Sequence, residues 1–157
     1  MSSPPINGDQ LVILHIEDDP DHAELVRRSF ESHRVANRLI LVTDGEAALN
    51  YLFRREEHTD PATSPTPTII LLDLCLPKID GLEVLATIKN DATLKYIPVV
   101  ILTTSEAESD VARAYELHAN SYVVKPVDFS KFTSLMEELG FYWLGWNFRP
   151  EKQTGDR

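Results

Sequence analysis

Five short apolar runs alternate along this chain with stretches whose apolar residues recur at helical spacing. The runs are "LVILHI" (11–16), "RLILVT" (38–43), "TIILLD" (68–73), "IPVVILTT" (97–104) and "SYVVK" (121–125), and each reads as a strand. Helices are predicted over 19–33, with Ala23, Val26 and Phe30 inward, and over 44–56, with Ala48, Leu49, Leu52 and Phe53 inward. A third begins at Asp80 and runs through Leu82, Leu85 and Ile88, a fourth covers 106–119, and a fifth starts at 128. Strands that alternate with helices across short connections imply a parallel sheet with helices on both faces. Near-continuous apolar strands fit that arrangement, because such a sheet is covered on both sides. Asp19 before Pro20 reads as an N-cap, and the acidic first turn of the fourth helix suits the helix dipole. The stretch "EHTDPATSPTPT" (57–68), with three prolines, reads as a loop within one domain.

At 157 residues the chain is expected to be a single domain with one core. Lys plus Arg number 15 and Asp plus Glu 25, a formal charge of −10. That balance argues against a nucleic-acid partner, which needs a basic footprint, and is consistent with a site that collects divalent cations. One cysteine excludes an intrachain disulfide and fits a reducing compartment. The N-terminal stretch "MSSPPINGDQ" lacks the basic and apolar regions of a signal peptide. No apolar run approaches the roughly 20 residues of a membrane span. A cytoplasmic protein with no membrane association is expected.

The strand ends carry the chemistry. In open parallel sheets, ligands bind beyond the carboxyl ends of the strands. Here those ends read Glu17, Asp18 and Asp19 after strand 1, Asp73 after strand 3, Thr103 and Thr104 after strand 4, and Lys125 after strand 5. Asp73 ends a run that otherwise reads as buried, and an unpaired buried charge is costly. If strands 1 and 3 are neighbours, Glu17, Asp18 and Asp73 crowd together. Two like charges about 4 Å apart repel by roughly 4 kcal/mol at an effective dielectric of 20. Mg²⁺ would offset that repulsion, taking one or two carboxylates, retained waters and a substrate phosphate. Lys125 would add a second positive charge. Carboxylates, a hydroxyl, an ammonium and Mg²⁺ together suit a phosphoryl group, with Asp73 as the nucleophile and an aspartyl-phosphate as the product.

With these residues in place, the chain resembles the receiver domains of two-component response regulators. The motifs that carry the resemblance are "HIEDD" (15–19), "LLDLCLPKIDG" (71–81), "VVILTTS" (99–105) and "SYVVKP" (121–126), in that order and spacing. It covers residues 10–140, with 1–9 expected to be disordered and 141–157 an aromatic extension. The resemblance implies a flavodoxin-like, doubly wound five-stranded sheet of order 2-1-3-4-5 with five helices. It implies Mg²⁺ held by Asp18, Asp73 and the Cys75 carbonyl, with Glu17 acting through water, where many receivers carry Asp. Thr103 would contact the phosphoryl group, Tyr122 would be the switch aromatic, and Lys125 would pair with the phosphoryl oxygens. Lys125–Pro126 would be a cis peptide and Gly81 a structural position in the Pro/Gly loop. The partner implied is a sensor histidine kinase. Output would run through helix 4, strand 5 and helix 5 to a downstream protein or a histidine phosphotransferase. "IPVVILTTSEAESDV", the Pro-rich loop and the tail "GFYWLGWNFRP" further resemble stand-alone receivers that partner phytochrome-type kinases.

Two other readings stand beside the switch. A haloacid-dehalogenase-type phosphatase also uses an aspartyl-phosphate, but wants an acid two residues after the nucleophile, where this chain has Cys75. A degenerate receiver acting as a passive binding module would not need the intact Asp18, Asp73, Thr103 and Lys125. The five histidines lack zinc-ligand spacing; His15 reads as a strand residue and His22, His33, His58 and His118 as surface residues. In the tail, which carries Phe141, Trp143 and Trp146, the residues Trp143, Leu144 and Trp146 cannot all face one side of a helix. Exposed aromatics at that density mark an interface, and a homodimer arm is expected.

Overall fold

The computed structural model describes residues 11–32, 37–126, 128, 130–135 and 137–138. The expected disordered segment 1–9 and the aromatic extension with Phe141, Trp143 and Trp146 lie outside the described residues. The element order is β1 (Leu11–Ile16), α1 (Pro20–Ser32), β2 (Asn37–Val42), α2 (Gly45–Leu52), β3 (Ile69–Leu72), α3 (Gly81–Asn90), β4 (Val99–Thr103), α4 (Glu108–Glu116) and β5 (Ser121–Val124). Residues 130–135 and 137–138 belong to a fifth helix, α5. The strands form one parallel sheet in the order β2-β1-β3-β4-β5, as expected. None of the helices among the described residues is long and apolar enough to cross a membrane.

The two-residue period of a strand divides the core into two layers. Leu14 and Ile16 of β1, Ile70 and Leu72 of β3, and Val99 and Ile101 of β4 pack with Ala48, Leu52, Val84, Leu85, Ile88 and Ala114 of α2, α3 and α4. On the opposite face, Leu11, Ile13, Ile69, Leu71, Val100 and Leu102 pack with Val26 and Phe30 of α1 and Phe132 of α5. These strands read as continuous apolar runs because each face has its own helical cover.

Two helices differ from their predicted spans. The second ends at Leu52 rather than 56. Arg54 and Glu56 adopt left-handed φ values of 58° and 55°. The Arg54 guanidinium donates to the Ser64 carbonyl and the Thr66 hydroxyl, each at 2.9 Å. These contacts with the Pro-rich loop outweigh the helix propensity of the local sequence. The loop itself is anchored, since the buried Tyr51 donates its hydroxyl to the Pro65 carbonyl at 2.7 Å, and it contains a 3₁₀ turn at Glu56–His58. The fourth helix starts at Glu108 rather than 106. Ser105 sits ahead of it, donating to Asp110 at 2.6 Å and accepting from the Ala107 N–H at 3.3 Å.

Candidate functional site

The side-chain period that builds the α1/α5 layer also builds the site. Glu17 continues the parity of Ile13 in β1, Asp73 that of Ile69 and Leu71 in β3, and Lys125 that of Val123 in β5, all of which pack on that face. The register pairs Ile16 with Leu72, so Glu17 and Asp73 leave adjacent strands side by side. Backbone bonds hold these ends: Asp73 N–H donates to the Ile16 carbonyl at 3.1 Å, and Lys125 N–H to the Thr103 carbonyl at 2.7 Å.

An ammonium has three N–H donors, and that of Lys125 meets three acceptors. They are Glu17 Oε1 at 2.6 Å, His22 Nδ1 at 2.9 Å and Asp73 Oδ2 at 3.1 Å. Glu17, Asp73 and Lys125 are buried, whereas Asp18 is exposed. Carboxylate oxygens of Glu17, Asp18 and Asp73 lie within 4.8 Å of one another. Three convergent hard oxygen donors with one of them at the surface suit a Mg²⁺ ion that keeps several waters. The Cys75 N–H donates to Asp73 Oδ1 at 3.2 Å, which sets the Cys75 backbone against the same carboxylate.

The two buried acids respond oppositely to this environment. Burial pushes Glu17 up to about 7, and the Lys125 ammonium only partly offsets it. Asp73 is also pushed up by burial, but Lys125, a hydrogen bond from Thr103 and the Cys75 N–H outweigh that, and its carboxyl is held below the usual range. The nucleophile candidate is therefore the better-stabilised anion, and the like-charge crowding expected from sequence is relieved at Asp73 by Lys125. Burial also pushes His15 down to about 3, so its ring is neutral.

The β3–α3 loop fixes Asp73 from below. Asp80 caps α3 by accepting from the Leu82 and Glu83 N–H groups. Gly81 N–H donates back to the Leu74 carbonyl at 3.0 Å. A Cβ on Gly81 would collide with the Asp73 carbonyl and the Leu74 backbone, which gives this glycine its structural role. Gly45, which sequence reasoning missed, has a similar place at the start of α2. Its N–H donates to the Pro77 carbonyl at 3.3 Å, and a Cβ there would strike the Ile79 carbonyl.

Thr103 is fully buried at the end of β4. Tyr122 is half-buried, packs against the α2–α4 layer, and donates its hydroxyl to the Ser105 carbonyl at 3.0 Å. Asp19 caps α1 as predicted, accepting from the Asp21 N–H at 2.9 Å. Two expectations need correction. No cis peptide occurs among the described residues, so Lys125–Pro126 is trans. Trans is the favoured isomer of an X–Pro bond by about 0.5–1 kcal/mol, and Lys125 reaches both acids with the bond in that form. His22 is not a bystander on the surface. It is half-buried, bonded to Lys125, and its ring lies 5.6 Å from that of Phe132 in α5. The available signal was its place four and seven residues before Val26 and Ser29, both buried on the inward stripe of α1.

The receiver-domain sequence profile, "Response regulator receiver domain", matches residues 13–137. A curated relative, the probable methanogenesis regulatory protein FilR2 of Methanothrix harundinacea, is 45% identical over 142 residues, which is 90% of this chain and 89% of that protein. Response regulator Rcp1 of Synechocystis is 42% identical over 133 residues, 85% of this chain and 88% of that one. Among solved structures, the Mn²⁺-bound form of Rcp1 superposes with a TM-score of 0.81 over 85% of this chain and 94% of its own, at 42% identity. The phosphorylated cyanobacterial phytochrome response regulator RcpA gives 0.82 over 87% and 96%, at 38% identity. The family profile and these relatives match this chain over most of its length, and it belongs to the response regulator receiver-domain family.

Proposed function

We propose that this chain is a stand-alone signalling switch that takes a phosphoryl group onto Asp73 from a sensor histidine kinase. The observation that carries the reading is the convergence on Asp73 of the Lys125 ammonium and the Thr103 hydroxyl beside two further acids. An Asp73 carboxylate oxygen attacks the phosphorus of a phosphohistidine. The new P–O bond forms as the P–N bond breaks, and the departing imidazole takes up a proton. Lys125 turns one N–H from its present acceptors to a phosphoryl oxygen, and Thr103 donates to another. Mg²⁺ held by Glu17, Asp18, Asp73 and the Cys75 carbonyl would neutralise charge on the phosphoryl oxygens.

Phosphorylation adds up to two negative charges and new acceptor oxygens. Thr103 moving toward them draws on the β4–α4 loop, where Ser105 holds the Tyr122 hydroxyl. That link supports α4, β5 and α5 as the surface that changes and that a downstream protein or histidine phosphotransferase reads. The names of RcpA and its match to this chain support a phytochrome-type kinase as the donor. The density of aromatics at Phe141, Trp143 and Trp146 supports a homodimer. Incubation with acetyl phosphate and Mg²⁺, followed by intact mass, tests the reading. A stable gain of one phosphoryl mass supports the switch. Hydrolysis of the donor with no adduct would make the chain a phosphatase, and no reaction would leave a passive binding module.

A further inference from the structure

Besides the two acids, the Lys125 ammonium meets His22 Nδ1 at 2.9 Å. An ammonium can only donate, so this ring nitrogen accepts, and the ring proton sits on Nε2. The neighbouring carboxylates are farther from the same nitrogen, Asp19 Oδ2 at 3.6 Å and Glu17 Oε2 at 4.0 Å. Packed elements place the ring. His22 stands in the first turn of α1, four residues before the wholly buried Val26. Asp19 fixes that turn by accepting from the Asp21 N–H. The ring also meets Phe132 of α5, with centroids 5.6 Å apart and planes tilted by 42°, within the range of aromatic pairs.

The three acceptors differ in kind. Glu17 and Asp73 belong to the acid cluster that suits Mg²⁺, and Asp73 is also the residue read above as the phosphoryl acceptor. His22 accepts through an unprotonated nitrogen and takes neither role. We propose that His22 is a positioning residue for phosphoryl transfer. Its Nδ1 keeps hold of one Lys125 N–H, so that the N–H now on Asp73 passes to a phosphoryl oxygen while the ammonium stays in place. Lysine carries its charge on a flexible four-carbon stem, and a small misplacement of a group beside the reacting atoms is costly in rate. A neutral acceptor on a packed helix supplies the hold that Glu17 and Asp73 give up once metal and phosphoryl group engage them. This role rests on the reading of Asp73 as the acceptor.

Two measurements on the whole chain test it. In the ring ¹⁵N spectrum, His22 Nδ1 should be unprotonated and displaced from the position of a free imidazole nitrogen, both before and after incubation with acetyl phosphate and Mg²⁺. A proton on Nδ1, or a free nitrogen in the phosphorylated protein, would overturn the proposal. The second measurement is the rate of mass gain from acetyl phosphate. His22→Leu, which keeps an apolar contact for Phe132 and removes the acceptor, should react about 10-fold more slowly, near the lower end of what one hydrogen bond to a charged group supplies. His22→Ala should be slowed alike. His22→Asn, whose Oδ1 can accept where Nδ1 does, should react at close to the wild-type rate. A ring needed only for packing gives the reverse order, with His22→Leu fast and His22→Asn slow. That order, or three variants slowed equally, would contradict the proposal. A wild type that takes no phosphoryl group overturns the reading of Asp73 as well, whereas a wild type and a His22→Leu variant that react equally fast overturn the role of His22 alone.

Discussion

Lys125 Nζ lies 2.6 Å from Glu17 Oε1, and both side chains are at least 99% buried. One ammonium from the end of β5 thus neutralises an acid at the end of β1 while also reaching Asp73 at the end of β3. Removing it strands two buried carboxylates. Lys125→Met should destabilise the metal-free protein by about 3–5 kcal/mol, the cost of orphaning a buried partner. Thermal melts in EDTA and in excess Mg²⁺ measure it. The variant should regain stability in Mg²⁺ more than the wild type does, because a cation that binds only the folded state stabilises it by mass action. Equal melting of variant and wild type in EDTA would show that this ammonium is not what holds the acids.

Glu17 and His15 oppose each other in the pH dependence of stability. Glu17 is raised from 4.5 to about 7 in the folded state. The native state therefore keeps a proton that the unfolded chain loses, and this contribution to stability fades as pH rises from about 4.5 through 7. His15 is lowered from 6.5 to about 3. There the unfolded chain binds the proton that the native state refuses, so stability is lost as pH falls below 6.5. In metal-free buffer the two slopes offset each other between about pH 4.5 and 6.5. Glu17→Gln should leave the His15 slope exposed, with stability rising with pH across that window. Denaturant melts at half-unit pH steps check it, and a Glu17→Gln profile as flat as wild type would contradict these assignments.

Gly81→Ala tests the loop that carries Asp73. The added Cβ meets backbone of Asp73 and Leu74 rather than a movable side chain. A cost of about 1–3 kcal/mol is expected, together with slower phosphorylation, because the atoms displaced belong to the acceptor residue itself. Urea melts and the rate of mass gain from acetyl phosphate measure the two effects. A variant unchanged in both would show that the loop relaxes without moving Asp73.

Much of this site was legible because parallel strands, buried on both faces, write themselves as unbroken apolar runs. A charge at the end of such a run, as at Asp73, stands out against it. The caps Asp19 and Asp80 were legible for a local reason, since their side chains bond their own helix N–H groups. What escaped depends on distant partners. The end of α2 is set by Arg54 reaching the loop ten to twelve residues on. The importance of Gly45 arises from Ile79, far along the chain. His22 matters because Lys125, 103 residues away, donates to it. The sheet order came from the resemblance to receivers, since the alternation of elements alone leaves several orders open.

The aromatic tail makes its own prediction. If Phe141, Trp143 and Trp146 form a dimer arm, their burial at roughly 25 cal/mol per Å² favours association by several kcal/mol before its entropic costs. Sedimentation of the whole chain should show a dimer, and a chain truncated after Leu139 should run as a monomer. Monomers in both cases would place the aromatics against their own domain.

The most direct measurement is the mass of wild type and Asp73→Asn after incubation with acetyl phosphate, with Mg²⁺ or with EDTA. Wild type should gain one phosphoryl group in Mg²⁺ and none in EDTA. Asp73→Asn, which keeps the shape of the side chain and removes the nucleophilic charge, should gain none in either. Asp18→Ala should behave as wild type does in EDTA, since it takes away the exposed carboxylate of the cluster. Phosphorylation of Asp73→Asn at the wild-type rate, or undiminished transfer in EDTA, would contradict the assignment of Asp73 as a Mg²⁺-dependent phosphoryl acceptor.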